Sequence, residues 1–466
     1  MPGPLFIGGT ASHAGKSWFT AAFCSLLRRR GVRVAPFKAQ NMSNNSFPCI
    51  EGGEIGRAQA MQAEACGLPP MADMNPVLLK PHSSTGSQVI RLGKVWRNVE
   101  ARDYYEHAAD LMEIALGGFA RLASQFDFVV CEGAGSVAEV NLFERDFTNL
   151  RFAQAVAAKT LLVADIERGG VFGSLVGTMD LLPAGQRELV RAFAVNRFRG
   201  DPRLFEGGVA FLEKRLGIPC LGVFPFLPDL RLDEEDSVAI SGSAPDDGAP
   251  VAVIRLPRIS NFTDFRLFPR IAWIDKPGAG NFQAIFLPGT KNTIEDLNWL
   301  RERGLSEWLI GQHRGGARIV GVCGGYQMLG AFIDDPDHLE SSLGRVEGLG
   351  LLPVGTVLRS PKVTTVVRAS VAGLDQVPAY EIHMGRTEML EAIAPFAHLA
   401  DGRPEGACAG RVMGTYLHGI FEHPEVVRRT LGIDLPPVPE KLATYGLLAQ
   451  WLVEHSKAPV LEDLLA

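Results

Sequence analysis

The sequence contains no C-x-x-C pair and no alternating cysteine–histidine spacing. Its seven cysteines (24, 49, 66, 131, 220, 323 and 408) are scattered and odd in number, which excludes a disulfide framework and a structural zinc site. No run approaches the ~18–20 apolar residues that a bilayer span needs. The opening MPGPLFIGGTASHAGKS has no basic region ahead of its short apolar run, unlike a secretory leader. Basic residues do not predominate: 46 Lys and Arg face 52 Asp and Glu, for a net charge of −6. That balance speaks against nucleic-acid binding as the main role. Together these absences predict a reduced, soluble, cytoplasmic protein without a membrane or nucleic-acid partner.

What is present is glycine and length. The 51 glycines in 466 residues are about 11%, against a usual ~7%, and glycine marks loops that turn sharply or approach phosphate closely. At ~100–200 residues per domain the chain holds two or three domains. A segment rich in turn formers, residues 241–250, reads as a linker. It divides the chain into domains spanning residues 1–240 and 251–466, each large enough for its own core. In the first, apolar runs at 5–8, 32–37, 126–131, 160–165, 193–198 and 220–224 alternate with helical patterns such as the one that buries Phe19, Ala22, Phe23, Leu26 and Leu27. The second opens the same way, with strands at 251–256, 284–287 and 318–322. Such alternation predicts right-handed βαβ units and a parallel sheet in each half, an α/β fold.

Between the first strand and the first helix lies Gly9-Thr10-Ala-Ser-His-Ala-Gly15-Lys16-Ser17. A loop in that position aims backbone N–H groups at an anion, and the helix amino terminus adds partial positive charge. Lys16 is placed to reach the β- and γ-phosphates of ATP, and the Ser17 hydroxyl to sit on Mg²⁺. Five residues separate the glycines instead of the usual four, a variant that resembles dethiobiotin synthetase-like ATPases. Glu132, in Cys131-Glu-Gly-Ala-Gly-Ser136, closes a second apolar strand and so faces the same crevice as a candidate Mg²⁺ ligand; Asp165 is a weaker one. Lys38, just past another strand, is a candidate for neutralising the γ-phosphate or a substrate carboxylate. Asn196 ends a strand where it can meet adenine, and Asp146 is a candidate substrate-side residue.

In the second half, Gly321-Val-Cys323-Gly324-Gly325 joins a strand to an apolar helix. A nucleophile on such a turn needs small residues two positions to either side, and the helix amino terminus favours the thiolate. Cys323 is therefore the candidate nucleophile. Of two candidate bases, His418 ends an apolar strand, whereas His423 belongs to His-Pro-Glu425; the strand end favours His418. Two positions beyond it stands Ile420, so the acidic residue that orients the base is left open, with Glu422 and Glu425 as guesses. Pro288-Gly289-Thr-Lys291 follows a strand, and the backbones of Gly289 and Gly324 are candidates for an oxyanion hole.

Taken in order, these segments resemble the cobyric acid synthase family. The resemblance extends through Phe37-Lys-Ala-Gln-Asn-Met-Ser43, Ala164-Asp-Ile-Glu-Arg-Gly-Gly170, Asn196-Arg-Phe-Arg-Gly-Asp201, Arg258-Ile-Ser-Asn-Phe-Thr-Asp264, Tyr380-Glu-Ile-His-Met-Gly-Arg386 and Gly414-Thr-Tyr-Leu-His-Gly419. Two positions depart from it: Phe265-Arg-Leu-Phe268 replaces a usual Phe-Asp-Pro-Leu, and Glu167 replaces an aspartate. The resemblance implies a dethiobiotin synthetase-like P-loop domain followed by a class I, triad-type glutamine amidotransferase domain. It also implies an amidase histidine without the usual following glutamate. The implied reaction is ATP- and glutamine-dependent amidation of the b, d, e and g carboxylates of adenosylcobyrinic acid a,c-diamide, with ATP and Mg²⁺ required and no tightly bound cofactor. Two alternatives stand beside it: a cobyrinic acid a,c-diamide synthase-like amidotransferase, and a regulatory P-loop ATPase with a degenerate amidase domain.

Overall fold

The computed structural model describes residues 3–83, 85–227, 249–437 and 440–466. The amino-terminal half is built on a six-stranded, all-parallel sheet. Its strands run Cys220–Pro225, Val190–Phe198, Lys159–Asp165, Leu5–Gly9, Phe128–Glu132 and Val34–Phe37 from edge to edge. Leu5–Gly9 is central and wholly buried, as a continuous apolar run covered on both faces must be. The chain leaves it to build strands on either side, so a crevice opens at the carboxyl ends of the strands. The helix Lys16–Arg29 starts at that crevice.

The second half has a sheet of its own, ordered Ile271–Ile274, Val251–Ile254, Ala284–Leu287, Arg318–Val322, Val412–Thr415 and Ala407–Ala409, parallel except for the last strand. Both halves are thus α/β, in agreement with the strand–helix alternation of the sequence. Two largely antiparallel additions carry no such alternation and were not anticipated. One joins Val77–Pro81, Gly86–Arg91 and Lys94–Glu100 to Gln40–Met42. The other pairs two long strands, Val354–Val371 and Leu374–Met389, whose burial follows no strict two-residue period.

The carboxyl end of the chain packs away from the half it follows in sequence. The helices Lys441–His455 and Ala458–Leu465 do not complete the second half. Their apolar faces enter the core of the first, with Leu448, Trp451, Leu452 and Leu461 in one cluster with Leu5, Phe19 and Phe224. Trp451 packs edge-on to Phe19 at 5.2 Å between ring centroids and lies 4.8 Å from Phe224. The first half exposes an apolar face around the helix Lys16–Arg29, and these two helices are what cover it. Of the segment read as a linker, residues 241–248 lie outside the described residues.

Candidate active sites

The phosphate loop is shaped by its backbone. Gly15 has φ 104°, and a β-carbon there would meet Asn196 Nδ2 at 2.1 Å, so only glycine fits. Asn196 donates from that amide to the Ala14 carbonyl at 2.9 Å; it braces the loop from Val190–Phe198, two strands away in the sheet. Thr10 N–H bonds to Val163 O at 3.0 Å, and Gly9 ends the central strand. The Lys16 ammonium curls into the loop, donating to Ala11 O at 3.0 Å and Gly135 O at 2.8 Å.

Glu132 joins the separate segments. It is 1% exposed and its Oε1 accepts from Ser17 Oγ and from Lys38 Nζ, both at 2.9 Å, while Gln62 donates to its Oε2. Burial pushes its carboxyl upward, but the charge and hydrogen bond of Lys38, with that of Gln62, bring it below the ordinary carboxylate value. Glu132 is therefore an anion at neutral pH. A hydroxyl and a carboxylate oxygen side by side are the hard donors that Mg²⁺ takes when phosphates complete its shell. No group of three or more His, Cys, Asp and Glu that could hold a metal without a nucleotide occurs among the described residues. Asp165 is engaged otherwise, in an ion pair with Arg197 at 3.0 Å. Asp146 organises its own loop, accepting at Oδ1 from Thr148 N at 2.7 Å and Asn149 N at 3.2 Å.

Cys323 sits on a strained elbow, at φ 52° and ψ −111°, a conformation that non-glycine residues keep only when the surroundings impose it. The surroundings do: a β-carbon at Gly325 would meet Leu287 O at 1.8 Å, and one at Gly321 would meet Gly325 O at 2.7 Å. The oxyanion candidates are adjacent to it. A β-carbon on Gly324 would meet Thr290 N at 3.2 Å, and one on Gly289 would touch His418 Cε1 at 3.2 Å.

His418 is fully buried. Its Nδ1 bonds to Asp264 Oδ2 at 2.8 Å, and Asp264 Oδ1 accepts from Gly419 N at 2.6 Å. Burial alone would lower the imidazolium pKa; the charge and hydrogen bond of Asp264, with a further contribution from Cys323, raise it to about 10. Nε2 makes no hydrogen bond among the described residues, which leaves it available for proton transfer at the sulfur and the leaving group. His423 lies apart, bonded to Pro378 O at 3.0 Å.

The acidic partner of the histidine was missed in the sequence. Glu422 pairs with Arg266 at 2.6 Å and Glu425 with Arg428 at 2.6 Å; neither orients His418. Asp264 does, and it closes the segment Arg258-Ile-Ser-Asn-Phe-Thr-Asp264 already singled out. The signal was present, but nothing in a spacing of 154 residues says that the two side chains meet.

A cavity of about 1210 Å³ joins the halves. Lys16, Ser17, Lys38 and Glu132 form one end, and Phe262, Phe265, Phe268 and Trp273 another wall. Six Lys and Arg line it against three Asp and Glu, reversing the sign of the whole chain. Among the described residues no helix is long and apolar enough to cross a membrane.

Comparison with known proteins treats the halves separately and then as one. Residues 5–239 match the family described as the CobQ/CobB/MinD/ParA nucleotide binding domain. Residues 250–426 match the CobB/CobQ-like glutamine amidotransferase domain. Over almost the full length, the chain is 46% identical to a probable cobyric acid synthase of Methanoculleus marisnigri, covering 97% of this chain and 96% of the relative. It is 44% identical to a cobyric acid synthase of Syntrophobacter fumaroxidans, covering 90% and 87%. It is 43% identical to one of Dehalococcoides mccartyi strain CBDB1, covering 95% and 93%.

Proposed function

The chain belongs to the cobyric acid synthase family, and from this we propose that it uses ATP and glutamine to amidate the b, d, e and g carboxylates of adenosylcobyrinic acid a,c-diamide. It is a glutamine-hydrolysing carbon–nitrogen ligase of cobalamin biosynthesis, with one half-reaction in each half of the chain. The observation that carries the residue-level reading is the cavity between them. Its basic lining suits a polycarboxylate, its aromatic wall suits a macrocycle, and its volume exceeds the ~300–1,000 Å³ of ordinary small-molecule pockets.

In the amidase half, Cys323 Sγ attacks the side-chain amide carbon of glutamine. The backbones of Gly289 and Gly324 stabilise the oxyanion. His418, held in orientation by Asp264, passes its proton to the departing ammonia, and a thioester remains. Water then attacks the thioester with His418 as base, releasing glutamate and restoring the thiol.

In the nucleotide half, the phosphate loop and Lys16 hold the triphosphate while Lys38 draws the acceptor carboxylate or the γ-phosphate toward Glu132. Ser17 and Glu132 would hold Mg²⁺, which supplies charge neutralisation on the phosphates. The acceptor carboxylate oxygen takes the γ-phosphoryl group and ADP leaves. Ammonia then attacks the acyl carbon and phosphate departs, leaving the amide. Such transfer depends on positioning and on neutralising charge, which is what these buried cations provide. Asn196 braces the loop and Asp146 shapes the cavity rim.

Mass spectrometry of the corrinoid product tests the reading. Each carboxylate converted to amide lowers the mass by one unit, so the a,c-diamide should end four units lighter. Conversion of the a and c carboxylates of the fully acidic precursor instead would assign the chain to a,c-diamide formation. Absence of glutaminase and amidation alike would leave a regulatory ATPase.

A further inference from the structure

The turn that carries Asp264 has two faces. Phe262, Thr263 and Phe265 line the cavity, while Asp264 points the other way, to His418. The start of this turn is held by the opposite half of the molecule. Ser46 N–H donates to Asn261 Oδ1 at 2.9 Å, and Phe262 N–H donates to Asn45 Oδ1 at 3.3 Å. The two asparagines thus exchange side-chain acceptors for backbone donors across the boundary. Asn45 is 2% exposed, Asn261 3% and Asp264 1%, so no water competes for these bonds. Asn261 stands at φ 52°, a left-handed conformation that asparagine tolerates and most residues do not. From there Asp264 N–H bonds to Asn261 O at 3.3 Å.

Toward the nucleotide, Asn45 is seven residues past Lys38, the buried partner of Glu132. The path between them is pinned: Lys38 N–H to Met74 O at 2.9 Å, Ser43 N–H to Leu79 O at 3.0 Å, and Asn45 N–H to Ser43 Oγ at 3.0 Å. A fixed track therefore runs from the phosphate site to the amidase base. We propose that Asn45 and Asn261 are a positioning pair by which the nucleotide half sets Asp264 against His418, so that glutamine hydrolysis depends on residues outside the amidase half. The proposal rests on the glutaminase reading given above.

Two substitutions at one position separate this role from simple interface packing. Asn261→Gly keeps the left-handed backbone and removes the acceptor; Asn261→Asp keeps both. In the full-length protein, glutamate release by N261G should show kcat reduced about tenfold, the usual loss for one buried hydrogen bond, with KM for glutamine within twofold. N261D should recover most of that rate, and amidation supported by ammonium chloride should stay within twofold in both variants. Asn45→Ala should reproduce N261G, and the double variant should be no worse than either single one. The proposal is overturned if N261G and N261D behave alike, if KM rather than kcat moves, or if ammonia-supported amidation falls in step with the glutamine-supported rate. A wild-type protein without glutaminase activity would instead refute the functional reading itself.

Discussion

The two reactive sites are held in opposite ways. The phosphate site balances the charge of Glu132 with Lys38 and adds the neutral donors Ser17 and Gln62, beside a wide cavity. The amidase site gathers a strained cysteine and a buried imidazolium–carboxylate pair, with His418 and Asp264 exposed by no more than 1%. Anionic phosphates bring their own charge to the first, so it is built to receive and neutralise. The second must hold a nucleophile and move its proton, which takes backbone strain and a fixed proton carrier. The difference teaches that the amidase half can be disabled without touching the ligation chemistry, provided ammonia is supplied from solution.

The strongest break in that comparison is Cys323→Ala. Removing a nucleophile costs about 10⁴–10⁶-fold, so glutamate release should vanish while ammonium chloride still drives amidation. Glutamine-supported amidation surviving in this variant would remove Cys323 from its role. Lys16→Ala should lower amidation from both nitrogen sources by about a thousandfold, the scale of losing one cation at a phosphoryl-transfer site; a normal rate with either source would contradict the nucleotide assignment.

Asp264→Asn sharpens the contrast at a smaller scale. Glutaminase kcat should fall by about 10²–10⁴-fold, since the imidazole loses its orientation and its counter-charge. The same variant carries a stability signature. The folded imidazolium is raised from 6.5 to about 10, so the stabilisation it contributes is fully present below pH 6.5 and is lost as pH rises toward 10. Denaturant midpoints of wild type and variant should therefore differ most near pH 6 and converge by pH 10; a gap that widens with pH would contradict the pairing.

Trp451→Ala addresses the halves themselves. Trp451 is 5% exposed between Phe19 and Phe224, and truncating a buried tryptophan costs about 3–5 kcal/mol. The loss should appear as weaker nucleotide binding and a lower unfolding temperature of the amino-terminal half. Destabilisation confined to the amidase half would contradict the placement of these helices.

What could be read from the chain without its fold was whatever lies in contiguous residues. The phosphate loop is complete between Gly9 and Ser17, because a strand, a glycine turn and a helix amino terminus are consecutive by necessity. The elbow around Cys323 is equally local, with both required glycines two positions away. The parallel sheets followed from alternation alone, since a βαβ unit writes its two periodicities one after the other. Three things had no local trace. Asp264 meets His418 only because the turn after Val251–Ile254 comes to lie beside the end of Leu417–His418. The carboxy-terminal helices cover the amino-terminal core because that core has an apolar face to bury, wherever in the chain the covering residues stand. The antiparallel hairpin Val354–Val371 and Leu374–Met389 was passed over because its pattern mixes exposed and half-buried residues. Sequence by itself singled out the candidate phosphate loop and the candidate nucleophile, since those capacities reside in local backbone geometry and side-chain chemistry. Tertiary structure decided which carboxylate lies against the histidine, which core the last helices complete and how residues of both halves come to line one cavity, because hydrogen bonds and burial act between residues close in space, whatever their separation along the chain.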